Sequence, residues 1–474
     1  MVLRETLTLV LDIGKSNAKL VLIDADGEVL VRTVQANTSV DGPGYIALGV
    51  AALEDWLLRT IPQLPRRDEI GVISITTHGA AFCGLDGDGL ALPPIDYEWD
   101  GYGETRAHYA AAVDPFVHNG TPLLPSGLNA GLSLYWLQQA RPALWARAQQ
   151  WLPYPQYWAW WFSGVACSEV SSLGCHTALW APAEGRYSDW AQRSGIAERF
   201  APLRQADERI GRLRSDLAHR LRLPSTVQVC AGSHDSNACL ARYLGSEPDA
   251  TVVSTGTWCV LMAPGAPTAG LDATRDQLVN VAVDGRAVPT ARFMGGREFA
   301  ALCERADPAW ADEAALTEVL HQGWLALPGF AAAGGPYAPR TGSIWRGETK
   351  VMEGLGAVPE RLRPALAALY CAEVTLQLAT ELEAGSAPRT LVLEGPLAHN
   401  AAYLCAVQAL AGPRAVLLSN DPLEGTARGA WLLAHTAPTQ LTAAKYTVKQ
   451  VDSTLARAIC AHSATWSRLA LGLS

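Results

Sequence analysis

Apolar residues dominate positions 7–11 and 19–23, and the stretch between them carries Asp12, Gly14, Lys15, Ser16 and Asn17; the pattern predicts two strands joined by a tight turn. A third strand, 28–35, follows the turn pair Asp26-Gly27. From 46 to 60 apolar positions recur at helical spacing, which predicts a helix. The run 70–76 predicts a strand ending at Thr77-His78-Gly79, and "FCGLDGDGLAL" predicts a hairpin around Asp86-Gly87-Asp88-Gly89. Helices are expected over 133–139, 143–150 and the tryptophan-rich "PQYWAWWFSG". "TVQVCAGSHDSNACLARYL" reads as a buried strand, a glycine turn and a helix starting near Ser236.

The opening pattern then returns. "DATVVSTGTWCVLMAP", residues 249–264, is again strand, glycine turn, strand, with Gly256 where Gly14 stood and Ser254 where Asp12 stood. Two such hairpins, one opening each half, predict a duplicated fold. A helix over 359–383 follows, then the strand 391–393 leading into "EGPLAHN", a helix over 401–410, the short strand "RAVLLS" and the helix "EGTARGAWLLAHTA". Strands alternate with helices, so the class is α/β. The expected domains are 1–243 and 244–440, with 441–474 a final helix or tail. Neither half carries Gly-x-Gly-x-x-Gly after its first strand, which disfavours a nicotinamide or flavin enzyme.

Composition narrows the classes without changing this outline. A chain of 474 residues, 49% hydrophobic and 18% charged, has core enough for two domains. Its net charge of −9 and lack of a basic run argue against nucleic acid as a partner. Ten cysteines occur singly, without Cys-x-x-Cys, which suits buried thiols in a reducing compartment. The apolar run at 7–11 is too short for a signal peptide and none is long enough to span a bilayer, so a cytoplasmic protein without a membrane partner is expected. Most of the sixteen tryptophans are read as core and helix packing.

The Gly-Lys-Ser at 14–16 is not the end of a P-loop. That motif needs a glycine five positions before Gly14, where Leu9 stands, and a helix after the Lys-Ser, where a strand pattern follows. A glycine at a hairpin tip instead lets backbone N–H groups approach an anion, with Ser16, Asn17, Thr255 and Thr257 adding donors. Two such turns on opposite walls of a cleft would grip a triphosphate. Asp12 then suits Mg²⁺ held through water, and Lys15 suits charge on the transferred group. Asp235, at the start of a helix, is the candidate general base for an attacking hydroxyl, although the commoner role of an acid there is a helix N-cap. His234 beside it is read as a packing residue.

Taken together, these residues resemble the FGGY carbohydrate kinases of the actin-like ATPase superfamily, over nearly the whole chain to about residue 440. "LDIGKSNAKLVLID" resembles the family's first phosphate hairpin, "GSHDSNA" its Gly-x-x-Asp segment and "STGTW" its second phosphate loop. "LEGPLAHN" is similar to its adenosine loop and "GTARGAWLLA" to its closing helix. The resemblance implies two ribonuclease H-like domains around an interdomain cleft, with ATP and Mg²⁺ as cofactors. It implies Asp12, Gly14, Lys15, Ser16 and Asn17 near phosphates and metal, Gly256, Thr257, Gly395 and Asn400 at the nucleotide, and Asp235 as the base. Departures from the family pattern are Ser133 for a lysine, Pro396 for the second glycine of the adenosine loop, Thr76 for a glutamine, and Ala80-Ala81 for a Val-Asp.

For the sugar, the likeness points to His78 and Gly79 at a strand end, and to Tyr97, Glu98, Trp99 and Asp100 in "PPIDYEWDG". "FMGGREF" could lend Arg297 to the cleft, although the commoner role of such a residue is a surface salt bridge. The implied reaction is transfer of the γ-phosphoryl of Mg-ATP to a sugar hydroxyl, nearest the L-fuculokinase and rhamnulokinase branch. Kinases of xylulose, ribulose, glycerol or erythritol, and a silent sugar or nucleotide sensor, are the alternatives. The likeness also admits a homodimer.

Overall fold

The computed structural model describes residues 6–87, 89–331, 334–419, 425–435 and 451–472. The expected turn at 86–89 therefore includes one residue, Asp88, outside the described set, and residues 436–450, which take in the first part of the expected tail 441–474, also lie outside it. Two compact units emerge: Met1–Ser246 with Val279–Ala287 and Glu424–Ala443, and Glu247–Leu278 with Val288–Leu423 and Ala444–Ser474.

In the first unit, Leu7–Ile13 pairs antiparallel with Asn17–Ile23, which pairs antiparallel with Val29–Ala36. On its other side Leu7–Ile13 runs parallel to Ile70–Thr77, and that strand parallel to Gln228–Cys230 and Ser233–His234. Leu7–Ile13 is buried at every position, the mark of a strand covered on both faces. The edge strand Val29–Ala36 alternates between half-buried and exposed positions and carries Arg32, which blunts the open edge. Register brings Asp12 opposite Thr76, and Ser233 opposite Thr76 with His234 opposite Thr77. Three strands thus end level, and in open α/β sheets ligands bind beyond such carboxyl ends.

The helix expected from residue 46 begins later. Ile46–Leu48 is a strand paired with Ser39–Asp41, and the helix runs Val50–Thr60. Gly49 sits between them, where a Cβ would come within 2.6 Å of the Thr38 carbonyl. Strand pairing overrides the helical spacing of the first residues there. The helix Asp235–Leu244 crosses the helix Gly425–His435 at Gly429, whose Cβ would lie 1.8 Å from the Ala238 carbonyl, so only glycine permits this approach. Ser74 Oγ also donates to the Ala430 carbonyl at 2.8 Å, tying that helix to the sheet.

The second unit repeats the arrangement. Thr251–Thr255 pairs antiparallel with Cys259–Met262, which pairs antiparallel with Ala287–Phe293. Thr251–Thr255 also runs parallel to Leu391–Glu394, and that strand parallel to Val416–Leu418. The long helix Arg363–Leu382 is buried on nearly every face, as a core helix is. The last described helix, Ser453–Gly472, docks in this unit. Its Trp466 is buried with Nε1–H donating to the Ala326 carbonyl at 2.8 Å, and His462 Nδ1 lies 2.8 Å from Glu373 Oε1. Trp466→Ala should therefore cost about 3–5 kcal/mol, read as a lower midpoint in denaturant unfolding. Burial opposes a charged His462, yet Glu373 outweighs it and raises its pKa. That contribution is complete below about pH 6.5 and fades as pH rises through the folded value.

Most of the tryptophans pack inside: Trp151 and Trp158 are fully buried and Trp145 stacks on Trp151 at 5.6 Å, whereas Trp310 is exposed. All ten cysteines are free thiols, and all but Cys460 are buried. Among the described residues, no helix is long and apolar enough to cross a membrane.

Candidate active site

Beyond the level strand ends of the first unit lie Asp12, His78 and Asp235. Asp12 is buried, with Oδ2 3.2 Å from Lys19 Nζ. Burial raises its pKa above the ordinary carboxylate value, Lys19 opposes this, and the charge of Asp235 adds to it. The Gly14 turn closes by Gly14 N–H donating to the Asn17 carbonyl at 2.8 Å, leaving Ser16 and Asn17 exposed at the tip. Asn37 clamps this tip from the next strand: its Nδ2 donates to the Gly14 carbonyl and its N–H to the Ser16 carbonyl, both at 2.9 Å.

Lys15 does not stand free at the tip. Its Nζ lies 2.5 Å from Asp96 Oδ2, 3.1 Å from Ser39 Oγ and 3.5 Å from Glu98 Oε2, with the Tyr97 ring 5.5 Å away. Burial pushes Asp96 up, but hydrogen bonds from Lys15, Ser39 and the Glu98 N–H outweigh it and hold its pKa below the ordinary value. Sequence reasoning missed Asp96 as well as Asn37 and Lys19. A lysine and an acid separated by 81 positions leave no local signal of their pairing.

His78 is buried, its Nδ1 2.8 Å from the Gly79 carbonyl, and its ring packs against Tyr97 and Tyr154 at 5.3 and 5.2 Å. With Nδ1–H donating, Nε2 is a bare acceptor, and it is buried without a partner. The hydroxyl of Thr76 is likewise buried and unpartnered. Burial keeps His78 neutral by lowering its pKa. A Cβ at Gly79 would press on the His234 ring at 3.0 Å and on Cys175 Sγ at 3.1 Å. Asp235 opens the helix Asp235–Leu244 with 30% of its side chain exposed. Burial raises its pKa, and the nearby His78 and the Ser236 hydrogen bonds oppose that. Asp12, Lys15, His78, Tyr97 and Asp235 therefore share one electrostatic neighbourhood. Glu98 is mostly exposed at its edge. Trp99 sits instead among Tyr45, Tyr102 and Trp136, and Asp100 is an exposed partner of Arg106 at 2.5 Å.

In the second unit Gly256, Thr257, Pro396 and Asn400 line one cavity of about 570 Å³, together with Gly296, Arg297 and the apolar Phe299 and Leu397. Gly395 precedes it with φ +85°, and a Cβ there would lie 1.9 Å from the Thr255 carbonyl. Thr255 Oγ1 ties the loop down, donating to the Glu394 carbonyl at 2.6 Å and accepting the Leu397 N–H at 3.1 Å. Asn400 Oδ1 caps the helix Ala401–Leu410 by accepting the Tyr403 N–H at 3.0 Å, which leaves its amide nitrogen for other partners. Gly296 was missed: its Cβ would come 2.3 Å from the Gly256 carbonyl, so this glycine lets a helix seat the turn. Arg297, for which a cleft role and a surface ion pair were both open, has no ion pair among the described residues and lines the cavity. A larger cavity, about 760 Å³, lies against the C-terminal helix, lined largely by apolar groups such as Leu320, Leu325 and Leu455.

The residues present fit the groups the fold implies. A cavity of this volume with an apolar wall and a few polar groups suits a nucleoside, and a Cβ at Gly256 would meet nothing closer than the Trp258 carbonyl at 3.6 Å. Nothing among the described residues demands glycine at that turn, which leaves room for an approaching phosphate. Asp12 beside the second acid Asp235 offers the hard oxygens magnesium prefers. Among the described residues no cluster of three or more His, Cys, Asp or Glu could hold a metal, so a magnesium ion here would keep waters and phosphate oxygens as ligands.

Two duplicated sheets with a glycine hairpin each define a protein of the two-domain, actin-like α/β type. Two family models match: the N-terminal domain of the FGGY family of carbohydrate kinases over residues 7–241, and the FGGY carbohydrate kinase C-terminal domain over 247–443. The chain belongs to the FGGY family of carbohydrate kinases. It is similar to the crystal structure of a carbohydrate kinase from Novosphingobium aromaticivorans, 36% identical with a TM-score of 0.88 over 99% of both chains. It shares its fold with ligand-bound xylulose kinase from Lactobacillus acidophilus, TM-score 0.77 at 14% identity over 99% of each. L-fuculokinase of Salmonella typhi is 25% identical over 277 residues, 55% of this chain and 57% of that relative. The match thus spans little more than half the length of that curated relative.

Proposed function

We propose that the protein transfers the γ-phosphoryl group of Mg-ATP to a hydroxyl of a ketose such as L-fuculose or L-rhamnulose. The observation that carries this reading is the neighbourhood around Asp235: a partly open carboxylate beside the bare, buried Nε2 of His78 and the unpartnered Thr76 hydroxyl. An acceptor nitrogen left unsatisfied in a folded protein is costly unless a ligand hydroxyl donates to it. Tyr97, close to His78, offers an aromatic face for the C–H side of a sugar.

In the reaction Asp235 takes the hydroxyl proton while that oxygen bonds to the γ-phosphorus and the bond to the bridging oxygen of ADP breaks. Magnesium, when bound, neutralises charge on the phosphates. Lys19 holds Asp12 in place by their ion pair. The cavity with Gly256, Thr257 and Asn400 takes the nucleotide. The similarity to L-fuculokinase favours a 6-deoxyketohexose.

ATP-dependent ADP release should respond to L-fuculose or L-rhamnulose ahead of a panel of other ketohexoses, ketopentoses and polyols. A response only to glycerol or erythritol replaces the substrate, and bound ATP with no response to any of them replaces the activity with sensing. Lys15 supplies a further expectation. Because it grips Asp96 in the loop carrying Tyr97, Lys15→Met should raise the sugar KM about tenfold or more, since it strands a buried carboxylate. The ATP KM should move by less than about twofold. The opposite split would return Lys15 to the phosphates.

A further inference from the structure

The helix Tyr154–Ser163 is aromatic and buried along most of its length, and Gln156 in its first turn is fully buried with it. Gln156 Nε2 donates to the Ala231 carbonyl at 3.1 Å and to the Gly232 carbonyl at 3.0 Å. Carbonyls only accept, so the amide orientation is settled: the nitrogen faces both of them and Oε1 points elsewhere. Oε1 is buried with no partner among the described residues. A buried acceptor left bare is destabilising, so what this glutamine contributes is its pair of bonds to the turn.

That turn is held through all four of its peptide groups. Ala231 N–H donates to the Glu208 carbonyl at 3.0 Å and Gly232 N–H to the Ala206 carbonyl at 3.3 Å, while the one side chain takes both carbonyls. Gly232 has a φ of +79°, and a Cβ there would lie 2.7 Å from the Ile75 carbonyl, so the turn is pressed onto the strand Ile70–Thr77. Beyond it Ser233 and His234 run in register with Thr76 and Thr77, and the next residue is Asp235, which opens its helix. The carboxylate is therefore carried out from the Gln156 clamp by a strand two residues long.

We propose that Gln156 is a positioning residue for Asp235: by clamping the Ala231 and Gly232 carbonyls it fixes where the strand Ser233–His234 delivers the carboxylate. The proposal rests on the reading of Asp235 as the base and adds the buried group that sets its place. With the clamp gone the two carbonyls are bare, the turn shifts towards other donors, and Asp235 moves off the line of the attacking hydroxyl. The loss then falls on kcat and not on nucleotide binding.

Gln156→Met keeps the bulk of the side chain and removes both donors. It should lower kcat by about 10- to 100-fold, the range for a displacement of about 1 Å at the reacting groups, with the ATP KM within about twofold of wild type. Gln156→Glu has the same shape, and its buried, protonated carboxyl returns one donor, so its kcat should lie between those of the Met variant and wild type. Adding Gln156→Met to Asp235→Asn separates aim from general damage. A residue that acts through the carboxylate should lower the residual kcat there by less than about twofold, whereas a structural loss repeats in full. An unchanged kcat in Gln156→Met, an ATP KM that rises as far as kcat falls, a Glu variant no better than Met, or a full further loss in the double variant each overturns the proposal. Failure of both single variants to fold overturns it too, because the two bonds then serve stability alone; where only Met fails, Gln156→Glu takes its place in the same cycle. Asp235→Asn by itself tests the parent reading: full activity there ends the base assignment, whereas an inactive Asn variant beside a fully active Gln156→Met ends only the positioning role.

Discussion

Asp235→Asn is expected to lower kcat by about 10²- to 10⁴-fold, the usual contribution of a general base, with ATP affinity changed by less than about twofold. Steady-state kinetics and calorimetric titration with ATP check the two halves. The substitution is clean because the amide oxygen can still accept from the Ser236 N–H that reaches Oδ1. Only the second oxygen changes, from a proton acceptor to a donor. Stability should not suffer. The pKa of Asp235 is raised, chiefly by burial, so the folded state disfavours its charged form and the neutral amide removes that cost. The same shift fixes the sign of the pH dependence. The base must be ionised, so kcat falls as pH drops through a value above about 3.9, the ordinary aspartate figure, and the residual activity of the Asn variant should lack this limb. Equal kcat in both proteins would remove Asp235 from the chemistry.

Two glycines of the second unit should respond in opposite ways to alanine. At Gly395 a Cβ would fall 1.9 Å from the Thr255 carbonyl at a φ of +85°. Left-handed strain and overpacking each cost about 1–3 kcal/mol, so Gly395→Ala should lower the thermal midpoint by several degrees and weaken ATP binding with it. At Gly256 the new methyl would meet only the Trp258 carbonyl at an ordinary 3.6 Å. Gly256→Ala should keep the wild-type midpoint to within about a degree, because its φ is not left-handed and nothing clashes. Its ATP KM should nevertheless rise about tenfold or more, since the methyl occupies the space a phosphate needs against the backbone. Thermal unfolding paired with ATP titration separates the two, and normal ATP binding by Gly256→Ala would show that this turn does not touch the phosphates.

What could be read in advance followed the range of the forces involved. The hairpins at Gly14 and Gly256, the helix from Asp235 and the helix Ala401–Leu410 depend on apolar period, glycine turns and a cap, all acting within about ten residues. The helix expected from residue 46 started late because pairing with Ser39–Asp41 outweighed local spacing. The choice between a cleft role and a surface ion pair for Arg297 stayed open because a sequence does not reveal whether an acid stands nearby.

The sequence by itself determined the two strand–glycine–strand openings, the α/β class and the presence of Asp12 and Asp235, because each is written in a contiguous stretch. Only the tertiary structure decided that Lys15 grips Asp96, that Asn37 clamps the Gly14 turn, and that the helix Gly425–His435 packs back on Asp235–Leu244 through Gly429. Those are contacts between groups whose distance along the chain says nothing about their distance in space, so they exist only once the sheet has set strand ends level and brought their side chains within hydrogen-bonding reach.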